Sequence, residues 1–311
     1  MSRQTDLLLE IATAIISGAP DRISDWFTED FRLHEPGKPA LPVGHEGARQ
    51  MMEAGRQNRM RAGVRTPAKV EILDMIEEGD RVAVRWQVTA TAHNGNPYEG
   101  SCVAIYRFDN GRIAEDWGIV APALWPPSSS VSRRSREPSL STQNRNVTGP
   151  TTMSQQKVLL RGIAASMGAG APDRISDWFT EDFRLHEPGK PALPVGHEGA
   201  RQMRERSRQN ATGVKRPINV EILDMVEESD RVAVRWQVTA TYDDGKPYER
   251  SIMAIYRFDN GRIAEDWGIG STTRWPPSSP EQAQRPKEDV TPPSRPASPH
   301  VKDDGGRDAH Y

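Results

Sequence analysis

Two carboxylate positions in this chain, each occurring twice, could serve proton transfer. Glu35 stands in His34-Glu35-Pro36, repeated as His186-Glu187-Pro188, and Asp116 stands in GRIAEDWG at 111–118, repeated at 261–268 with Asp266. Removing a proton next to a carbonyl, the step behind aldol cyclisation and double-bond isomerisation, needs a carboxylate or His in a dry pocket. It also needs a donor for the enolate oxygen. Side chains alternate along a strand, so GRIAEDWGI divides into Ile113, Glu115, Trp117 and Ile119 on one face and Arg112, Ala114, Asp116 and Gly118 on the other. The second face has small residues beside its acid, which places Asp116 and Asp266 towards a pocket and Glu115 with Trp117 towards packing or a subunit contact. His34 and Glu35 point opposite ways in an extended segment, so one of the two faces that pocket.

Expected ligand-binding residues are His34, Trp86 and Tyr106, with His186, Trp236 and Tyr256 in the second copy. Each has a plainer alternative. Asp116 could be a solvent-facing strand residue, Glu35 could pair with Lys38, His34 could brace the following loop, and Tyr106 could be core. His45-Glu46 reads as a helix cap. Cys102 becomes Ile252 in the other copy, so it is set aside as a nucleophile.

The elements that must position these groups are written twice. GAPDRISDWFTEDFRLHEPGKPALPVGHEGARQM occupies residues 18–51 and again 170–203, an offset of 152 residues, and AIYRFDNGRIAEDWGI recurs from 104 and from 254. The period is too long for a solenoid, so each copy is expected to be a complete domain, 1–125 and 153–275. The polar, Ser- and Arg-rich 126–152 reads as a disordered linker, and 276–311 as a disordered tail.

Within a copy, Leu7, Leu8, Ile11 and Ile15 recur at the spacing of one helical face. Pro20-Asp21 can open a short second helix carrying Ile23, Trp26 and Phe27 inward and ending near Thr28. FRLHEP reads as a short extended piece, and a third helix follows from about Gly44. After residue 68 the period alternates: VEILDMIEE, RVAVRWQVTAT, YEGSCVAIYRF and RIAEDWGIV are four strand candidates, with Asn94-Gly95 and Asn110-Gly111 as tight turns. Helices followed by an antiparallel meander imply α+β: tandem duplicated cone-shaped domains, each about three helices packed on a curved antiparallel sheet.

Composition limits the partners. One cysteine excludes a disulfide framework and fits a cytoplasmic setting, and no zinc spacing occurs, so neither metal nor cofactor is expected. Asp6 and Glu10 interrupt the N-terminal apolar stretch, against a signal peptide, and no run is long enough for a membrane span. With 41 basic against 43 acidic residues and no basic stripe, nucleic acid is not a partner. A small-molecule ligand is expected, with the two domains paired within one chain or in a homodimer.

The element order, the HEP motif, GHEGARQM, VRWQVTAT and YRFDNGRIAEDWG together resemble the SnoaL-like polyketide cyclase and ester cyclase group of the nuclear-transport-factor-2-like superfamily, over about residues 3–125 and 155–275. The resemblance implies an open cone of helices against a curved sheet and a pocket for a small apolar or carbonyl-containing ligand. It implies three functions to weigh: a cofactor-independent cyclase or isomerase, a non-catalytic ligand-binding or assembly domain, and an epoxide hydrolase. The acid-base Asp of SnoaL-type cyclases falls on Gly118 and Gly268, and their supporting His on Ala104 and Ala254. Asp116 and Asp266, two residues before those glycines on the same face, are the replacement acids. The general base of ketosteroid isomerase, an Asp preceding a Pro, falls on Glu35.

Overall fold

The computed structural model describes residues 3–17, 22–64, 68–121, 153–170 and 174–273. The expected linker and tail, and the Pro20-Asp21 helix start, lie outside the described residues.

The first copy runs α1 (Arg3–Ser17), α2 (Ile23–Trp26), β1 (Phe27–His34), α3 (His45–Arg61), β2 (Lys69–Glu78), β3 (Arg81–Thr91), β4 (Pro97–Asp109) and β5 (Arg112–Ala121). The second repeats it as α4 (Gln155–Ala169), α5 (Ile175–Trp178), β6 (Phe179–His186), α6 (His197–Asn210), β7 (Asn219–Glu228), β8 (Arg231–Thr241), β9 (Pro247–Asp259) and β10 (Arg262–Ser271). The fold is α+β, with one five-stranded sheet per copy, ordered β1-β5-β4-β3-β2 and β6-β10-β9-β8-β7.

Periodicity explains most of these elements. Leu8, Ile11 and Ala14 form the buried stripe of α1, and Leu160, Ile163 and Ala164 that of α4. Asn110 and Gly111 both adopt positive φ, 49° and 77°, as a tight hairpin between β4 and β5 requires. Three details depart from the sequence reading. The short helix ends at Trp26, and Phe27 with Thr28 already belong to β1, which adds a fifth strand to the expected four. That strand pairs with β5 in parallel, so the sheet is mixed and not purely antiparallel. α3 starts after Gly44 as expected, but its cap differs: Gly44, and not His45 or Glu46, is the N-cap, without a side-chain cap bond, while His45 Nε2 lies 3.1 Å from the Phe27 carbonyl and ties the helix to β1. Only glycine fits at 44, since φ is 85° and a Cβ would stand 2.2 Å from the Glu29 carbonyl oxygen.

Each sheet buries one face beneath its own helices, around Trp26, Phe31, Val84 and Phe108 in the first copy and their twins in the second. The opposite faces pack on each other. Ile105, Trp117 and Ile119 interleave with Ile255, Trp267 and Ile269 in a single apolar cluster. At its edge Arg85 lies over the Trp267 ring and Arg235 over the Trp117 ring, both at 4.6 Å, while Arg81 pairs with Asp224 and Arg231 with Asp74. The contacts are reciprocal, as a pseudo-two-fold axis between duplicated domains demands. Among the described residues no helix is long and apolar enough to cross a membrane.

Candidate functional site

The candidate acids sit where β5 and β10 depart from regular pairing. Arg107 opposes Glu115 but Phe108 opposes Ile113, so Ala114 is the extra residue of a β-bulge, matched by Ala264 in the second copy. Strict alternation would put Ile113 beside Glu115. The bulge turns it instead to the helix side, where it packs with Phe27 and Phe108, and Asp116 and Gly118 follow on that side.

On the other side, Glu115 accepts from Arg107 Nε at 2.8 Å and meets His34 Nε2 at 3.0 Å, while the His34 ring stacks on Trp117 at 5.0 Å. His186, Glu265, Arg257 and Trp267 repeat the arrangement. Partial burial pushes the Glu265 carboxyl up, but the hydrogen bonds from His186 and Arg257 outweigh it and hold the group at about 2. The expectation that His34 and His186 bind ligand is therefore corrected. As the final residue of an edge strand, each lies on the face that meets the partner sheet, held at Nε2 by a carboxylate and stacked on an indole, and it is Glu35 or Glu187, one residue on, that turns to the helix side.

That side holds a cavity of about 280 Å³ in the second copy, between the sheet and α4 and α6. Asp266, Glu187, Trp236, Tyr256, Ala254 and Gly268 line it together with apolar side chains such as Leu160 and Ile163. Asp266 is 8 % exposed, and its Oδ1 is buried without a hydrogen-bond partner. Burial, and secondarily the negative charge of Glu187, raise its carboxyl to about 8. Asp116 is raised to about 8 in the same way, by burial and by Glu35. Glu187 accepts from Lys190 at 2.7 Å and from Arg206 at 3.4 Å, whereas Glu35 has Lys38 at 2.7 Å.

Tyr256 stands edge-on to Trp236, with ring centroids 6.5 Å apart, and burial pushes its hydroxyl well above the usual range. In the first copy Trp86 Nε1 donates to Tyr106 Oη at 3.2 Å. Cys102, close to Asp116, has its thiol pushed up by burial, which disfavours the thiolate a nucleophile needs.

The glycines on the strand have a direct relation to the acids. A Cβ at Gly268 would stand 3.2 Å from Asp266 Oδ1, and one at Gly118 would stand 3.6 Å from Asp116 Oδ1. Asp266 thus folds back closely over Gly268, tightly against the place where a side chain would begin, while Asp116 stands at ordinary contact distance from that place at Gly118. The SnoaL-like domain model matches residues 9–116 and again 160–266. This chain belongs to the SnoaL-like family.

No curated protein matches it. Among solved structures, the candidate polyketide cyclase IdmH from Streptomyces antibioticus is 22 % identical, covering 38 % of this chain and 92 % of its own, at a TM-score of 0.32. TsrD from Streptomyces laurentii is 19 % identical over 39 % of this chain and 92 % of its own, at 0.33. An NTF2-like protein of unknown function from Burkholderia pseudomallei is 19 % identical over 39 % and 93 %, at 0.31.

The two SnoaL-like copies are not independent around the cavity. Ala121, the last residue of β5 in the first copy, lines the cavity of the second. Sequence reasoning missed this contact, because nothing local to Ala121 reports a neighbour from the other copy. It also missed Arg250, which lines the same cavity and whose signal was a difference between the copies, Gly100 against Arg250. Among the described residues no group of His, Cys, Asp and Glu is arranged to hold a metal ion.

Proposed function

We propose that each SnoaL-like copy binds a small, largely apolar, carbonyl-bearing molecule and moves a proton on it without a cofactor, as a cyclase or isomerase does. Asp266 and Asp116 are the acids in this reading, and Glu187 and Glu35 the bases. The Glu carboxylate takes the proton from the carbon next to the carbonyl. The electron pair of that C–H bond becomes the enolate, whose oxygen receives a hydrogen bond or a proton from the neutral Asp. Return of the proton to another carbon completes an isomerisation, and attack of the enolate carbon on a second carbonyl completes a cyclisation.

The observation that most supports this is the carboxyl of Asp266: buried in an apolar cavity, one oxygen unpaired, and raised to about 8. Two carboxyl groups in one cavity, one kept neutral and one whose charge helps to keep it so, divide into acid and base. Tyr256 offers a second hydroxyl to a ligand oxygen, and the indole of Trp236 a flat apolar wall.

The test follows exchange of α-protons of an aryl methyl ketone in deuterated water by NMR, with the full chain. Wild type is expected to accelerate exchange, and the acid's contribution to fall as pH rises through about 8, where Asp116 and Asp266 ionise. Replacing both with Asn is expected to lower the rate about 100-fold, as is replacing Glu35 and Glu187 with Gln. Exchange that is the same in wild type and in both double variants removes the catalytic reading.

A further inference from the structure

The two copies agree at the candidate acids and the aromatic pair and differ at other positions that line the cavity. Asp266, Tyr256, Trp236 and Glu187 have identical counterparts in Asp116, Tyr106, Trp86 and Glu35. Arg250 and Gly270 stand in place of Gly100 and Val120. The two changes are geometrically one. A Cβ at Gly270 would lie 3.1 Å from Nη2 of Arg250 and 3.2 Å from its Nε, so the guanidinium lies across the bare backbone of β10. A side chain at 270, such as the valine that the first copy has at 120, would require the guanidinium to give way by a few tenths of an ångström. A strand glycine at such a place marks close approach by another group, here the arginine.

Arg250 is half-buried and lines the cavity, and no ion pair or hydrogen bond to its guanidinium is formed among the described residues. A planar fork of donors held in a partly apolar recess calls for an acceptor with two oxygens in one plane. Arg204 lines the same cavity where the first copy has Met52, and lies 5.8 Å from the Trp178 ring. Glu187, an acid that lines the same cavity, already accepts from Lys190 and Arg206.

We propose that the second copy takes an apolar molecule bearing a carboxylate, gripped in the cavity by Arg250, while the first copy, with Gly100 and Met52 there, takes an uncharged one. The proposal rests on the cavity being a ligand pocket, but not on its catalysis.

Titration calorimetry of the full chain with naphthalene carboxylate and with the uncharged acetylnaphthalene tests it. Wild type is expected to bind one carboxylate per chain. Arg250→Gly with Gly270→Val, which installs the first copy's own pair, is expected to lower the ratio of carboxylate to ketone affinity about ten-fold or more. Arg250→Lys is expected to fall between. Gly100→Arg with Val120→Gly is expected to raise the stoichiometry to two. An unchanged ratio in the Gly/Val variant overturns the proposal. So does wild type that binds only the ketone, an outcome that keeps the pocket; binding of neither removes pocket and proposal together.

Discussion

A carboxyl group moved from water into an apolar recess keeps its proton unless a cation or several donors compensate, and Asp116 and Asp266 have neither. Their neighbours Glu115 and Glu265, one residue away and on the other face, have both a His and an Arg, and are held low. The contrast between adjacent acids is set entirely by strand face. It has a consequence for stability. The folded chain holds the Asp266 proton up to about 8, while the unfolded chain releases it near 3.8, so this contribution is fully present in acid and is lost as pH rises between the two. Asp266→Asn is therefore expected to gain stability over wild type on the order of a few kcal/mol at pH 9 and little at pH 4, measured by denaturant unfolding. A difference that does not grow with pH would contradict the buried neutral acid. At this scale the acids were legible, because small neighbours in the strand marked their face. The role of His34 was not, since its partner Glu115 lies 81 residues away.

Elements were legible to the degree that their period was regular. The stripe of α1 and the alternation of β3 and β4 could be read directly. FTEDFRLH in β1 has two buried residues, then two exposed ones, and its pairing partner is the last strand of the domain, so neither its extent nor its parallel direction was visible. The bulge at Ala114 is invisible for the same reason: an extra residue exists only relative to the strand opposite it. The GHEG turn is a case where residue type does report geometry. Gly196, like Gly44, has φ 85° and faces a carbonyl oxygen, that of Glu181, 2.2 Å from where a Cβ would stand. Gly196→Ala is expected to cost about 2 kcal/mol or more in denaturant unfolding, whereas Gly162→Ala, in the exposed interior of α4 where an added Cβ meets nothing within 4 Å, is expected to gain about 0.5–1 kcal/mol.

At the scale of the whole molecule, two sheets that each cover one face with helices have a second apolar face to bury, and in this chain they bury it on each other. Trp117 and Trp267 are central to that contact, so Trp117→Ala is expected to destabilise by about 3–5 kcal/mol in chemical denaturation. Residues 153–273 expressed alone are expected to sediment as a dimer, a second copy taking the place of the first; a stable monomer would show that the sheet face tolerates water. The sequence alone determined that the domain is written twice, that helices precede strands in an α+β arrangement, and which acids stand on which face, because repeat, period and alternation are local properties of a chain. The tertiary structure alone decided that β1 closes the sheet in parallel, that the histidines look into the sheet contact and not the pocket, that Ala121 of one copy borders the cavity of the other, and that Arg250 rests on the bare backbone of Gly270. Each of these depends on which distant segments share a volume, and that is settled only when the apolar faces have found one another.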